Sequence, residues 1–237
     1  MLKKLIPAAV VLIALAVIAL FLDSGVFIIK DVVISGETGM DEMDVIRLAG
    51  VDMGGRMRTF DESGVRRNVE SSGLLKCIKV EKSLPSTVVI TVERRVPRMV
   101  SDLGGSMVLM DGDGYVISVT REMPEGDYLY VTGLSPRDGV PGRLIGSDMA
   151  RIEALTAVVK AIDTTGVQEY ISEINVDDTD GIYLYSRTGI QVIVGDTGEL
   201  ENKLIWVKYA LADLEGRGET SGKLDVTGGK QADFSAN

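Results

Sequence analysis

Several groups of side chains in this sequence have the residue types that site chemistry needs. Asp111-Gly112-Asp113-Gly114 begins like a calcium loop, in which alternating carboxylates on a tight turn converge on a hard cation. The later ligands and the closing glutamate of such a loop are missing, so the same residues also read as a plain turn. Asp177, Asp178 and Asp180 offer a second carboxylate cluster, again at a spacing that suits a polar turn between strands. Cys77, the single cysteine, is either a reactive thiol or a small apolar residue at the edge of a core. Glu93-Arg94-Arg95 has the charge to bind an anion, or to form a solvated strand end with local pairing. Carboxylate pairs for glycoside cleavage depend on three-dimensional spacing, and no pair stands out.

The chain has no histidine, which removes Ser-His-Asp and Cys-His nucleophiles, His-ligated zinc and an imidazole base together. One cysteine forms no intrachain disulfide and no cysteine-cluster metal site. Formal net charge is −10, and Lys3 and Lys4 are the only charged side chains before Asp23, so the rest of the chain is more acidic still. Such a surface lacks the basic face that phosphate backbones require, and nucleic acid is not expected as a partner. No nucleophile motif is recognisable, and the expectation is a protein without catalytic residues, metal or cofactor.

At 237 residues with 45% hydrophobic and 25% charged side chains, the chain is long enough for a membrane segment plus folded domains. Residues 1–4 form a short leader. Residues 5–22 are uncharged and, at about 1.5 Å per residue, span roughly 27 Å, close to a bilayer's hydrocarbon thickness. Lys3 and Lys4 on one side and Asp23 on the other orient this segment with its N-terminus in the cytoplasm and the body outside. A cleaved signal peptide is the competing reading, but the run ends in bulky Phe21-Leu22 where cleavage wants small residues.

The body has two patterned blocks. The first opens with an apolar strand, Val26 to Ser35, then a short helix with Val45, Ile46 and Ala49 on one face, stopped by Gly50. Asp61 is a plausible N-cap for a second helix carrying Val65 and Val69 and stopped by Gly73. Strands follow at Ile78 to Lys82 and Thr87 to Glu93. The order is β-α-α-β-β, enough for helices packed on one sheet. In the second block, Met107 to Met110 and Tyr115 to Val119 read as a hairpin about Asp111–Gly114. A helix from about Ser147 to Asp163 places Ile152, Leu155, Val159 and Ile162 on one stripe. Strands are expected at Ile171 to Val176, Ile182 to Ser186 and Ile190 to Val194. A helix from about Gly198 to Leu214 and short strands at Lys223 to Thr227 and Gln231 to Phe234 complete the pattern.

Leu75 to Pro97, with its strand, Leu84-Pro85 turn, strand and Glu93-Arg94-Arg95-Val96-Pro97 close, resembles the FtsQ/DivIB cell-division family. Val33-Ile34-Ser35-Gly36 is similar to the strand and glycine that open that family's POTRA domain. The Asp111–Gly114 hairpin resembles the strand pair that follows it. Two departures stand beside these: Leu224-Asp225-Val226-Thr227 lacks the family's arginine, and Tyr130-Val131-Thr132 lacks the proline expected before Gly133. The resemblance implies an α+β chain with an N-terminal transmembrane helix at 5–22, a POTRA domain at 26–96, a β domain at 97–234 with an antiparallel-rich sheet and flanking helices, and a tail at 235–237. It further implies a divisome scaffold at the septum that binds FtsB/DivIC-like and FtsL-like bitopic proteins and acts indirectly on a septal peptidoglycan synthase. Its docking edge would be Gln231, Ala232, Asp233 and Phe234. Leu224, Asp225, Val226 and Thr227 would be the neighbouring strand, with Trp206 and Tyr209 on the adjacent helix either in contact with the partner or packed in the core. A membrane-anchored cell-wall enzyme and a POTRA-bearing export or assembly accessory are the alternatives.

Overall fold

The structure, a computed structural model, describes residues 10–17, 25–134 and 139–236. The chain divides into two compact units between Arg94 and Arg95. Residues 10–17 are helical and lie within the expected membrane segment; the remainder of 5–22 lies outside the described residues. Among the described residues no helix is long and apolar enough to cross a membrane.

The first unit is a three-stranded sheet in the order β1-β3-β2, with β1 at Asp31–Ser35, β2 at Leu75–Ser83 and β3 at Thr87–Arg94. β1 is parallel and β2 antiparallel to β3. Alternation in β3 buries Val88, Ile90 and Val92 against two helices, α1 at Glu42–Ala49 and α2 at Glu62–Glu70. Asp41 starts α1 by accepting the Met43 N–H at 2.8 Å, and Gly50 stops it with φ of 63°. Asp61 starts α2 by accepting the Gly64 N–H at 2.9 Å, and Val65 and Val69 face the core as expected. Glu70 is the last helical residue and Ser71 its C-cap, and just beyond, Gly73 turns the chain with φ of 73° and its N–H on the Glu70 carbonyl at 3.0 Å. The first strand is shorter than its apolar run: Ile29 N–H bonds to Gly55 C=O and Met57 N–H to Phe27 C=O, so residues 27–29 pair with a loop instead of the sheet.

Side chains close parts of both edges of this sheet. On β2 a bulge falls between Cys77 and Lys79, where the Glu70 carboxylate accepts the Cys77 N–H at 3.3 Å. The Arg66 guanidinium donates to the carbonyls of Cys77 and Ile78. On β1 the Ile34 N–H points to Glu42 Oε1 at 3.4 Å.

The second unit is a mixed nine-stranded sheet. Its strands are β4 (Pro97–Leu103), β5 (Ser106–Asp111), β6 (Val116–Thr120), β7 (Leu129–Thr132), β8 (Ile171–Asn175), β9 (Ile182–Ser186), β10 (Gln191–Gly195), β11 (Lys223–Asp225) and β12 (Asp233–Ser235). Their order is β12-β11-β10-β9-β8-β7-β4-β5-β6. The pairs β10–β11, β7–β8 and β4–β7 are parallel and the others antiparallel. Helices α3 (Met149–Thr165) and α4 (Leu200–Gly216) join one core with the sheet. The expected stripe Ile152, Leu155, Val159 and Ile162 is buried, as are Leu204, Val207, Leu211 and Leu214. The sequence reading missed β4 and β7. Successive residues Met99, Val100 and Ser101 are all buried, so β4 has no alternation to read, and β7 has only four residues.

Candidate functional site

The side chains with chemical potential are occupied by the fold. Asp111 Oδ1 accepts the N–H groups of Asp113 at 3.0 Å and Tyr115 at 2.8 Å, which makes the turn. Its other oxygen pairs with Arg95, and the Arg95 guanidinium lies 4.3 Å from the centroid of the Tyr115 ring. Arg95 is only 5% exposed, which corrects both readings of Glu93-Arg94-Arg95 at that residue: it is neither a solvated strand end nor open to an anion. Asp178 accepts the Asp180 N–H at 3.0 Å, and Asp177 pairs with Arg151 at 3.2 Å. Among the described residues no group of three or more carboxylates or thiols is placed to hold a metal ion. Cys77 is buried, and burial raises its thiol pKa above the ordinary 9.0, so its apolar reading holds.

What remains is a surface. β12 is the terminal strand of the nine-stranded sheet and pairs only with β11, in the register Lys223↔Ser235, Leu224↔Phe234 and Asp225↔Asp233. Gln191 N–H donates to Gly222 C=O and Val226 N–H to Ile193 C=O, so the even-numbered residues of β11 direct their backbone groups to β10. Lys223 and Asp225 therefore face β12 and bond with Ser235 and Asp233, which leaves the N–H and C=O of Phe234 directed away from the sheet. Continuing the alternation one step back puts the Ala232 N–H on the same open side. Unlike the β2 edge, none of these groups meets a capping side chain among the described residues.

The strand is anchored by the half-buried Phe234 ring, which packs against the core together with Ala232. Gly222 makes this possible: a Cβ there would come 2.7 Å from the ring and 2.7 Å from the Ser235 carbonyl oxygen. Gln231 and Asp233 are exposed and hydrogen-bonded to each other at 2.8 Å. Leu224 and Val226 are fully buried and offer no side chain to a partner. Asp225 accepts from the N–H and hydroxyl of Thr227, forming the turn that ends β11. Trp206 and Tyr209 stand on the solvent face of α4, 42% and 70% exposed, so they are not core residues. Ile205, 44% exposed, joins them and was not singled out in the sequence.

Lys203 was also missed. Its side chain is 4% exposed and donates to Asp196 Oδ1 at 2.9 Å and to the Asp196 carbonyl at 3.0 Å. The hydrogen bond from Lys203, with one from the Gly198 N–H, holds the Asp196 carboxyl below its ordinary value of 3.8. Its place on the buried stripe beside Leu200, Leu204 and Val207 was the available signal.

Comparison with known proteins matches residues 27–95 to the POTRA domain, FtsQ-type. Residues 27–95 thus match an FtsQ-type POTRA domain, and the chain is similar to FtsQ and DivIB cell-division proteins. Cell division protein DivIB of Clostridium tetani is 22% identical over 85% of this chain and 76% of its own length. Cell division protein FtsQ of Rickettsia bellii is 27% identical over 45% of this chain, and FtsQ of Caulobacter vibrioides 33% over 39%. These matches span 40% and 30% of those two proteins' own lengths. The major extracytoplasmic domain of DivIB from Geobacillus stearothermophilus aligns at 16% identity with a TM-score of 0.33, covering 49% of this chain and 92% of that one. That score is too low to bear on the fold.

Proposed function

We propose that this FtsQ/DivIB relative is a division scaffold whose β12 edge receives a strand from an FtsB/DivIC-like protein, itself joined to an FtsL-like one. The observation that carries this reading is the outward N–H and C=O of Phe234 on a terminal strand that no side chain among the described residues caps. An added strand would bond to that pair, and side chains on both faces would set its identity. Trp206, Tyr209 and Ile205 supply an exposed apolar patch on α4, of the aromatic kind found at interfaces. The anchor at 5–22 would hold the body at the outer surface of the cell membrane, where effective concentration strengthens modest contacts. The exposed aliphatic side chains of helical residues 10–17 support that placement. Through these contacts the chain would act indirectly on a septal peptidoglycan synthase, without chemistry of its own.

The test is co-purification of full-length chain with division proteins from extracted membranes, with and without residues 231–237. Recovery of small bitopic partners that is lost on truncation, with both units still folded, is the expected result. Recovery indifferent to the truncation would remove the edge from the reading. Recovery of no such partner from either sample would overturn the scaffold itself.

A further inference from the structure

The helices of the second unit pack on one face of its sheet, and the opposite face carries two ordered rows of half-buried or exposed side chains. Strand pairings place Tyr130 beside Glu173, Glu173 beside Tyr185 and Tyr185 beside Gln191. The next row sets Thr132 beside Asn175, Asn175 beside Tyr183 and Tyr183 beside Ile193. All eight residues are half-buried while their alternate neighbours face the core. Tyr183 and Tyr185 form an edge-to-face pair with centroids 5.6 Å apart and planes at 86°.

Glu173 is at the centre of this face. Its Oε1 accepts the Thr132 hydroxyl at 2.7 Å, and Thr132 in turn accepts from Asn175 Nδ2 at 2.9 Å, which fixes the carboxylate in place. A carboxylate offers about four acceptor sites, so most of its capacity is unused. Among the described residues no Lys or Arg pairs with it. Elsewhere in this unit Arg151 pairs with Asp177 and Asp148, and Arg187 with Asp127. Toward β12 the face carries Asp225 and Asp233 against Lys223. The Tyr183 hydroxyl pKa is raised above its ordinary 10.0, by desolvation and then by Tyr185, Glu173 and Asp177, in keeping with a negative local potential.

We propose that this sheet face is a second docking surface, at which Glu173, flanked by Tyr130 and Tyr185, receives an arginine or lysine side chain of a partner protein. A half-buried carboxylate without a counter-cation, set between aromatic rings whose faces attract positive charge, fits a guanidinium in both charge and shape. The assignment does not depend on the β12 edge.

The test is a titration of isotope-labelled full-length chain in detergent micelles with the peptide Gly-Arg-Gly-Arg-Gly and its citrulline counterpart, followed by NMR. Saturable shifts at Glu173, Asn175, Tyr183 and Tyr185 are expected with the arginine peptide. Affinity should be at least about tenfold lower for the citrulline peptide and in Glu173→Gln, which keeps the Thr132 bond. Tyr185→Leu should weaken binding by about threefold, the loss of one exposed cation–π contact. Equal response to both peptides, or no saturable shift on this face, would overturn the assignment. Saturation by spermine with none by the arginine peptide would overturn the choice of a protein partner. The two-peptide comparison on the unsubstituted chain decides the matter even where a variant fails to fold.

Discussion

Two prolines one residue apart should separate the open side of β12 from its paired side. Ala232→Pro removes an N–H directed away from the sheet, so an added strand loses one main-chain bond. Such a bond is worth about 0.5–1.5 kcal/mol net, or roughly a two- to tenfold rise in partner Kd. The fold should be little affected, because no β11 group depends on that N–H. Asp233→Pro acts on the other side: it deletes a bond to Asp225 and leaves the Asp225 carbonyl without its partner. That costs about 1–3 kcal/mol locally and releases the anchored Phe234, so binding should fall far more than for Ala232→Pro. The assay is partner affinity by calorimetry alongside urea unfolding of the same samples. If Ala232→Pro lowered stability while Asp233→Pro did not, the assigned alternation would be wrong. If neither changed partner affinity, β12 would not be the docking edge.

Four further outcomes test the framework. Gly36→Ala should destabilise the POTRA domain by more than about 2 kcal/mol in urea unfolding, because its φ is 102° and a Cβ would strike the Val92 carbonyl oxygen. Asp196→Asn should lower stability at pH 6: the depressed carboxyl pKa contributes stability that is fully present above the ordinary 3.8 and is lost as pH falls through the lower folded value, so the gap between the two proteins should shrink in acid. Asp111→Asn should cost about 3–5 kcal/mol by leaving the Arg95 charge buried and unpaired, and Arg95→Met in the same chain should recover part of it. Cys77 should react with a thiol reagent at pH 7 only as the POTRA domain unfolds, since it is 1% exposed and its thiolate is scarce.

Legibility in the sequence followed the strength of local signals. Asp61 as a cap, Gly50 as a stop and the alternation of Val88, Ile90 and Val92 fix much of the POTRA domain by short-range physics, and these were readable; the Asp41 cap was not singled out. β4 was not, because burial on both faces erases its period, and residues 27–29 pair with a loop that no local pattern announces. At the edge, the strands and the exposed Asp233 were legible. Which backbone groups point outward was not, since that depends on the β10–β11 register. The Glu173 face was missed for a related reason: Thr132, Glu173, Tyr185 and Gln191 are distant in sequence, and only pairing brings them into rows. Arg95 shows the reverse error, where a charge run that looks solvated supplies a buried ion pair.

The Arg66 and Glu70 side chains that occupy the β2 edge bear on valency. A protein with an open edge on each of its sheets can be a link, taking a strand on one side and offering another elsewhere, and a row of such links grows without limit. Here the POTRA sheet has its backbone groups at Cys77 and Ile78 already bonded by the chain's own α2, and Ile34 on the other edge faces Glu42. Strand exchange there would first have to displace those bonds. An assembly that adds a strand at β12 therefore finds the edges of the POTRA sheet partly closed, which disfavours further growth by strand addition at that sheet. Loosening the clamp, as in Glu70→Ala with Arg66→Ala, would leave the β2 edge open at Cys77 and Ile78 to a strand from another molecule.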